Sequence, residues 1–480
     1  MKHARLTLAL LSLPLFAGCS LAPTYKVPTV AMPASYKEAG IWQPAQPSDN
    51  LDRGDWWKNY GDETIDKLVG QLDAANPTLA AAVAHYDQAA AYEQQARASL
   101  YPTVSVGGAA TENYQFYNHP HIEAGRGPGV TSPQHFTEQY GDIGASYELD
   151  LWGRIRNEVA AGTAQAQAAA ADVESVRLSL HANLINNYIA LRNFDAQSKL
   201  LNDVVAAYAK ALALTQNRFE GGADSALDVS RAQAQLDSAK AELTDIAASR
   251  SLYEHAIASL VGIPASSFSI APAVINIALP NVPVGIPSKL LQRRPDIAAA
   301  ERRVYAANAQ IGVAKTAFYP TIMLDGGDTL DTIAAGSFLI APTNVWMIGP
   351  TAFLTIFDAG RREAIVHQAE AVYNIAGANY RSTVLQAFQE VEDNLSLLNK
   401  LAQESQQVKA AIADSNKTLN IAMNRYREGM TNYLEVVTAQ TSLLHVELQA
   451  LNLRTRRLQA NVNLVRALGG SYKSNLQSNS

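Results

Sequence analysis

The turn Asn217-Arg218-Phe219-Glu220-Gly221-Gly222 decides the organisation of this chain, because the same pattern occurs a second time. It returns 207 residues later as Asn424-Arg425-Tyr426-Arg427-Glu428-Gly429. Each turn precedes a Leu-acid-Val triplet, Leu227-Asp228-Val229 in the first case and Leu434-Glu435-Val436 in the second. The same offset pairs Gly153-Arg154 with Gly360-Arg361, and Gly262 with Gly469. Similarity at a fixed offset is the signature of a repeat architecture, so we predict two tandem copies of one unit.

Each copy is predicted to hold a leading helix, a β-hairpin, a very long helix, a tip and a returning helix. The first copy, 76–262, has its hairpin at 102–150, long helix at 154–216, tip at 217–225 and returning helix at 226–260. The second copy, 291–470, has the same elements at 320–357, 361–423, 424–432 and 433–468. The leading helices are expected at 79–100 and 297–318. Residues 263–290 are rich in Pro and indicate an extended linker, and 471–480 form a tail.

The predicted long helices are far longer than those of ordinary globular domains. Residues 154–216 contain no Pro and a single Gly, and at 1.5 Å per residue they would extend about 95 Å. Ala, Ser, Gln and Asn dominate, and large apolar residues are sparse. Small side chains let helices approach closely, so this composition favours a thin helical wall over a thick core.

The first 18 residues indicate an export signal, with Lys2 and Arg5 ahead of a short apolar run. The run ends in Ala17-Gly18-Cys19, which resembles a bacterial lipobox, so we predict a signal peptide at 1–18 and lipidation of Cys19. The mature segment 19–75 would then be a lipid-anchored N-terminal region. The alternative is cleavage at a generic small-residue site that leaves Cys19 as a free thiol. No later stretch is apolar enough for a membrane helix, so any membrane crossing must use strands.

The hairpins alternate in hydrophobicity with the period of a β-strand. In the first hairpin the apolar or small set is Val104, Val106, Gly108, Ala110, Tyr114 and Phe116, continued by Ile143, Ala145, Tyr147 and Leu149. In the second hairpin it is Ile322, Leu324, Trp346, Ile348, Ala352, Leu354 and Ile356. An ordinary half-buried sheet alternates in the same way. The export signal favours strands that face lipid on one side and water on the other.

Four strands cannot close a barrel, since about eight are needed. An open sheet in lipid would leave two unpaired edges, so the protomer must share its barrel with other copies. Two copies would give an eight-stranded barrel whose interior fills with side chains, and three copies give twelve strands, which leave room for a channel.

Composition excludes several functional classes. The net charge of −6 argues against nucleic-acid binding, which needs a basic face. A single Cys excludes an intrachain disulfide and Cys-based metal centres. No catalytic nucleophile elbow, phosphate-binding loop or His-Glu-x-x-His motif is present, so we expect neither an enzyme nor an energised pump, and no cofactor. His119 and His121, in the predicted 118–136 loop, are weak evidence for a metal site, and we expect none.

The mature chain resembles the TolC/OprM-type outer-membrane efflux proteins, in their lipoprotein, NodT-like branch, over nearly its whole length. The residues that carry the resemblance are the lipobox, Leu21-Ala22-Pro23-Thr24-Tyr25, Asp55-Trp56-Trp57, Arg293-Arg294-Pro295-Asp296-Ile297, Phe357-Asp358-Ala359-Gly360-Arg361 and the two turns. The resemblance implies a mixed α+β membrane protein with four β-strands and long α-helices per protomer. It implies a homotrimer with a 12-stranded β-barrel in the outer membrane, continuous with a 12-helix periplasmic α-barrel and ringed by an equatorial belt.

By the same resemblance, the chain is a passive exit duct for small amphiphilic compounds such as drugs. Its partners would be a periplasmic adaptor and an inner-membrane transporter, of the RND type, and it would be lipid-anchored in the outer membrane. A conduit for polypeptide secretion is the alternative, and a purely structural envelope protein is a third possibility.

The resemblance places a periplasmic gate at the second tip, where Leu434 would form an apolar ring and Glu435 an acidic ring. Asp228 is the counterpart of Glu435 in the first copy and would line the same entrance. Thr438 departs from the family pattern, which usually has Asp there, so one ring of charge would be missing.

We also predict that the tips dock the adaptor, because both copies keep the Arg, the aromatic residue, the Gly and the following Leu-acid-Val at the same spacing. The contact residues would be Arg218, Gly222, Leu227, Arg425, Gly429 and Leu434. The alternative is that these residues only form the turn, since Gly and a basic last turn suit any helix end.

Overall fold

The computed structural model of the chain describes residues 20–29, 54–115, 134–280, 294–333 and 343–470. Cys19, the signal residues, the tail and residues 118–133 of the predicted loop lie outside this described part.

The elements follow the order predicted from the repeat. The helices are α1 (Glu63–Ala75), α2 (Pro77–Ala98), α3 (Arg154–Glu220), α4 (Ala226–Leu260), α5 (Pro295–Thr316), α6 (Arg361–Arg427) and α7 (Tyr433–Ala467). The strands are β1 (Thr103–Gln115), β2 (Gln134–Glu148), β3 (Thr321–Ile333) and β4 (Thr343–Phe353). Short 3₁₀ turns occur at Trp56–Tyr60 and Ala265–Ser267.

The two copies are equal in their main helices, which confirms the tandem repeat. α3 and α6 each have 67 residues, and α4 and α7 each have 35. Both long helices end four residues later than the sequence analysis placed them, because the chain stays helical until it reaches the turn glycines. Pro77 and Pro295 open α2 and α5, two residues before the predicted starts, at a position where the helix makes no use of an N–H and where the fixed φ of Pro is suitable.

Contacts divide the chain into two compact units that do not coincide with the repeats. One unit, here the sheet unit, comprises Met1–Val27, Asp87–Gln167 and Arg302–Ala378. The other, the helical unit, comprises Pro28–Tyr86, Ala168–Glu301 and Asn379–Ser480. Each repeat therefore contributes its hairpin to one unit and its tip to the other.

The sheet unit contains an antiparallel four-stranded sheet in the order β1-β2-β3-β4. β2 pairs with β3, so the sheet joins the hairpins of the two copies, with Ile143 opposite Asp328. Val106 lies opposite Ile143 in β2, and Trp346 lies opposite Asp328 in β4, which places these side chains on one face. Val106, Ile143 and Trp346 are each more than half exposed in the protomer. The sheet therefore presents an apolar face that no other described part of the chain covers.

The opposite face of the sheet carries the hydrogen-bonded polar groups, although Val345, Met347 and Phe353 of β4 also lie on it. Ser146 donates a hydrogen bond to the Asp325 carboxylate at 2.7 Å, and Thr351 donates to its other oxygen at 2.9 Å. Polar residues interrupt the apolar face at Glu112, at Gln139 and at the pair in which Asn344 donates to Asp328 at 2.8 Å. The alternation predicted from the sequence thus separates a mainly apolar face from one that contains the hydrogen-bonded groups of Ser146, Asp325 and Thr351.

Small residues pack the helices of the sheet unit. Ala161 and Ala164 of α3 contact Ala306 and Ala309 of α5, and all four are buried. The segment after the predicted lipidation site lies on these helices, where Asn308 donates to the Pro23 carbonyl at 2.8 Å. A Cβ at Gly312 would lie 2.7 Å from the Ala22 methyl, so the segment approaches α5 more closely than any other residue would allow.

The helical unit has the larger apolar core. Trp56, Tyr60 and Leu72 from the N-terminal region pack with Tyr188 of α3 and Val462 of α7. The Tyr60 hydroxyl donates to Asn461 at 2.8 Å, so its polar end is satisfied inside the core. α1 and the preceding 3₁₀ turn lie within the predicted N-terminal region 19–75, for which the sequence analysis named no secondary structure.

Buried charges hold the linker between the repeats against α3 and α4. The Asp195 carboxylate is 2% exposed and accepts hydrogen bonds from Arg192 at 2.8 Å and Arg250 at 2.7 Å. It also accepts the backbone N–H of Ala273 at 3.1 Å, while Arg250 donates to the Ile270 carbonyl at 2.5 Å. The described part of the linker, 263–280, contains only the short 3₁₀ turn Ala265–Ser267, and specific polar contacts fix it in place.

No helix among the described residues combines the length and the apolar character that crossing a bilayer requires.

We expect Asp195→Asn to release the linker, because it leaves the buried Arg192 without its carboxylate and removes one of the two carboxylates beside Arg250. Loss of one partner from a buried ion pair costs about 3 kcal/mol or more, which corresponds to roughly 100-fold more opening. Limited proteolysis should detect this as faster cleavage within 263–280. Asp203→Asn is the matched control, since Asp203 forms an exposed pair with Lys199 on the same helix. Equal cleavage rates for the two variants would contradict the clamp.

Candidate functional site: the paired helical tips

The helical unit contains both predicted turns, each between a long helix and a returning helix. α3 ends at Glu220 and α4 begins at Ala226, while α6 ends at Arg427 and α7 begins at Tyr433. Gly222 has φ 75° and Gly429 has φ 77°, as the sequence predicts for helix C-termini. No atom lies within 4 Å of a Cβ built on either glycine. Backbone conformation, and not space, therefore requires glycine at these positions.

Both turns close with the same hydrogen bonds. Gly222 N–H donates to Phe219 O at 2.9 Å, and Ala223 N–H donates to Arg218 O at 2.8 Å. In the second turn, Gly429 N–H donates to Tyr426 O at 3.0 Å, and Met430 N–H donates to Arg425 O at 2.8 Å. This is the Schellman pattern, in which a left-handed residue lets the chain satisfy carbonyls that the helix end leaves free. The retained Arg and aromatic residues supply these carbonyls, a role that any residue could fill.

A polar network joins the first turn to the second. Arg218 Nε donates to the Asp224 carboxylate at 3.0 Å, and its guanidinium lies 4.8 Å from the centroid of the Tyr426 ring. The Tyr426 hydroxyl donates to the same carboxylate, and it lies 2.9 Å from the buried Thr215 hydroxyl. Burial and the hydrogen bond to Asp224 raise the pKa of Tyr426 to about 12, so the phenol stays protonated and keeps donating. The hydrogen bond to Asp224 also raises the pKa of Arg218.

An apolar cluster supports this network. Tyr426 and Tyr433 are buried with ring centroids 5.3 Å apart, and they pack with Ala211 and Ala232 of the first copy. The two tips of one protomer therefore pack against each other, through aromatic contacts and through the Arg218–Asp224–Tyr426 network.

The two turn arginines, which the sequence analysis placed in one role, have different environments. The Arg218 side chain is 20% exposed and bound to Asp224, whereas that of Arg425 is 49% exposed and lies 3.5 Å from Glu435. Position 431, the counterpart of Asp224, is Thr, so the second copy has no equivalent carboxylate. Arg425 is the more accessible cation.

The predicted gate residues also differ. Leu434 is 47% exposed, and the Glu435 carboxylate next to it is half exposed. Asp228 is tied into the start of α4, because Ser225 donates to its carboxylate at 2.7 Å and Arg231 lies 3.5 Å away. Thr438 donates to the Leu434 carbonyl at 2.9 Å, so its hydroxyl is used by the helix. Leu227 is exposed on the first tip.

Asp224 and Thr215 were missed by the sequence analysis. Comparing the two copies reveals only the residues that both of them share. At these two positions the copies differ, since the counterparts of Asp224 and Thr215 are Thr431 and Ala422. The signal present in the sequence was Asp224 itself, a carboxylate two residues after Gly222 and close to the turn arginine. Within the described residues, no group of three or more His, Cys, Asp or Glu side chains could hold a metal ion.

Comparison with known proteins gives consistent results. The sequence profile of the family described as outer membrane efflux protein matches residues 68–263 and 286–470. Outer membrane protein OprJ of Pseudomonas aeruginosa is 31% identical over 467 residues, which cover 97% of this chain and 95% of OprJ. The toluene efflux pump outer membrane protein TtgC of Pseudomonas putida is 29% identical over 475 residues, with coverage of 97% and 96%.

A solved structure agrees with these sequences. The outer membrane protein VceC from Vibrio cholerae superposes with a TM-score of 0.79 at 28% identity, covering 89% of this chain and all of that one. Because the family profile spans both copies of the repeat and well over half of the sequence, this chain belongs to the outer membrane efflux protein family.

Proposed function

We propose that three copies of this chain form a passive outer-membrane duct through which small amphiphilic compounds leave the cell. An inner-membrane pump of the RND type would supply the energy, and a periplasmic adaptor would connect the pump to the tips. The relatives named as efflux pump outer membrane proteins support this role.

The observation that carries the proposal is the sheet. It has an apolar face, a hydrogen-bonded polar face and two outer edges, on β1 and β4, that no other described strand covers. Unpaired backbone groups cannot remain in lipid, because nothing there replaces their hydrogen bonds. Pairing β1 of one copy with β4 of the next closes the sheet, and three copies give twelve strands. The apolar face then meets lipid and the polar face meets water.

We place the periplasmic gate at the second tip. Leu434 is exposed in the protomer, and three copies would bring it together as an apolar ring, with Glu435 adding an acidic ring beside it. The neighbouring Arg425 offsets part of that charge, and Asp228 is occupied by Ser225 and Arg231. We therefore assign the main constriction to Leu434 and Glu435, with Asp228 as a lesser contributor from the first copy.

Leu434→Ala should raise single-channel conductance several-fold in planar bilayers, because it removes the apolar ring that narrows the entrance. Leu227→Ala is the matched control, since it makes the same change at the equivalent position of the first tip and should leave conductance near that of the parent protein. Equal conductance for the parent and both variants would remove Leu434 from the gate.

We further propose that the tips dock the adaptor. Leu227 and Leu434 would supply apolar contact and Arg425 a hydrogen-bond donor. Arg218 would act mainly by fixing the tip, because Asp224 already binds it. Gly222 and Gly429 set the direction in which each tip presents these side chains.

Gly222→Ala combined with Gly429→Ala should reduce adaptor crosslinking and efflux of an amphiphilic dye while trimers still form. A left-handed residue with a Cβ costs about 1–2 kcal/mol, and the open space around both glycines means that no clash is added. Gly221→Ala is the control, because it changes a neighbouring glycine that does not need a positive φ.

The measurements are trimer yield, crosslinking to the adaptor and dye efflux in cells that lack other outer-membrane channels. Loss of trimers would instead show that these glycines serve only the fold. Efflux failing with the parent chain would contradict the duct itself.

Cys19 lies outside the described residues, and we propose that it is acylated. The structure supports an anchor at this point, because the segment from Ser20 is bound to α3 and α5, with Ser20 donating to Asn157 at 3.0 Å.

Mass spectrometry of the mature N-terminus should find acylated Cys19, and Cys19→Ser should abolish both the acyl mass and lipoprotein processing. The barrel strands provide a separate membrane attachment, so the variant should still sediment with membranes. Cys19→Ala tests whether any loss comes from removing sulfur and not from adding a hydroxyl. A mature protein that starts at another residue and carries no lipid would contradict the anchor.

A further inference from the structure

A cleft of about 520 Å³ lies in the helical unit between α6, α7 and the linker segment 276–279. Volumes of this size accommodate drug-sized molecules. Its apolar lining comes from Ile277, Leu279, Val408, Ile412, Leu453 and Leu458. Three cations line it as well, Lys409, Arg454 and Arg457. The cleft is therefore amphipathic, with a positive polar side.

Among the described residues, the two arginines of the cleft have only neutral hydrogen-bond partners. Arg454 donates to the Asn276 side chain and to the Ile277 carbonyl at 3.2 Å, and Arg457 donates to the Ser405 hydroxyl at 3.4 Å. Nε of Arg457 is buried and has no acceptor among the described residues. No carboxylate occurs among the described residues that line the cleft. The stretch 281–293 that follows the linker segment contains neither Asp nor Glu in its sequence.

The internal repeat shows what is missing. At the offset of 207 residues, Arg457 corresponds to Arg250, which is bound by Asp195 at 2.7 Å and lies 3.4 Å from Glu254. In the second copy the counterparts of these two carboxylates are Ala402 and Asn461. The same arginine is thus kept on the same helix face while both of its counter-charges are lost.

The second copy has also gained positive charge at this place. Lys409 stands where the first copy has Asn202, and Arg454 stands where it has Ala247. Arg457 is partly buried, and removing a guanidinium from water without a carboxylate is costly. A hydrogen-bonded anion offsets that cost more effectively than a neutral acceptor. The four changes together leave an excess of positive charge beside an apolar surface.

We propose that this cleft binds a small amphiphilic anion, an organic carboxylate or sulfonate with an apolar body. The anionic group takes the place that Asp195 has in the first copy and accepts hydrogen bonds from Arg457 and Arg454. The apolar body lies against Ile277, Val408 and Leu453. This site is separate from the tips, and its occupancy does not depend on the proposed duct function.

Photolabelling of the purified full-length protein with 4-benzoylbenzoate tests this proposal, with the uncharged 4-methylbenzophenone as the matched probe. The carboxylate probe should label peptides that contain 405–412 or 450–458, as mapped by mass spectrometry. The uncharged probe should label them about tenfold less, as expected when a charge-assisted hydrogen bond is lost. Equal labelling by the two probes would overturn the proposal.

Two variants make the test specific. Arg457→Gln should lower labelling about tenfold, whereas Arg456→Gln should not, because Arg456 is exposed and lies beside Glu404, outside the cleft. Ala402→Asp restores the carboxylate of the first copy and should block labelling while oligomers form normally. If Arg457→Gln and Ala402→Asp label like the parent, the site is wrong. If the parent is not labelled and Arg457→Gln dissociates oligomers, the cleft is a contact between copies and the proposal fails.

Discussion

Backbone hydrogen bonding at the outer edges of the sheet is the constraint on which the rest of the structure depends. β1 and β4 each pair on one side only within the described residues, so each presents a row of free N–H and C=O groups. In lipid each unpaired group costs several kcal/mol, and a protomer with two such edges would not be stable there. Association of three copies, as we propose, removes both edges at once. The same association sets how many long helices stand side by side, because every protomer brings two copies of the repeat.

The long helices have small side chains and few interruptions, which suits close packing side by side. α3 and α6 would each extend about 100 Å at the usual helical rise, and the Ala contacts between α3 and α5 let neighbouring helices approach closely. Such contacts bury little apolar area per residue, so they contribute modestly to stability. The apolar core around Tyr60 and Tyr188 contributes more, and specific polar contacts fix the remaining segments. Asp195 fixes the linker to α3 and α4, and the network of Arg218, Asp224 and Tyr426 fixes the two tips to each other.

The sequence predicts the elements that both copies share and misses those that only one copy has. The repeat located the long helices and the turn glycines, because a positive φ and a helix end leave the same signature each time. Phe219 and Tyr426 looked equivalent by the same comparison, yet Tyr426 is buried in the tip network and Phe219 is 43% exposed. The difference follows from Asp224, whose counterpart is Thr431, and no periodic pattern reports such a pairing. α1 was missed because its region has no second copy for comparison.

At both sites where the copies differ, the first copy binds its arginine with an internal carboxylate and the second copy does so less or not at all. In the first copy, arginines are bound internally: Arg218 by Asp224 at the tip, and Arg250 by Asp195 in the bundle. In the second copy, the corresponding Arg425 is half exposed, and Arg457 has no carboxylate within the described residues. Duplication permits this division, because one copy can retain the contacts that hold the protomer together while the other gives up the same contacts. Arg425 keeps only an exposed pair with Glu435, and Arg457 keeps only a neutral acceptor, so both can donate hydrogen bonds to an acceptor that another molecule provides. The second copy is therefore where we expect this chain to meet its partners.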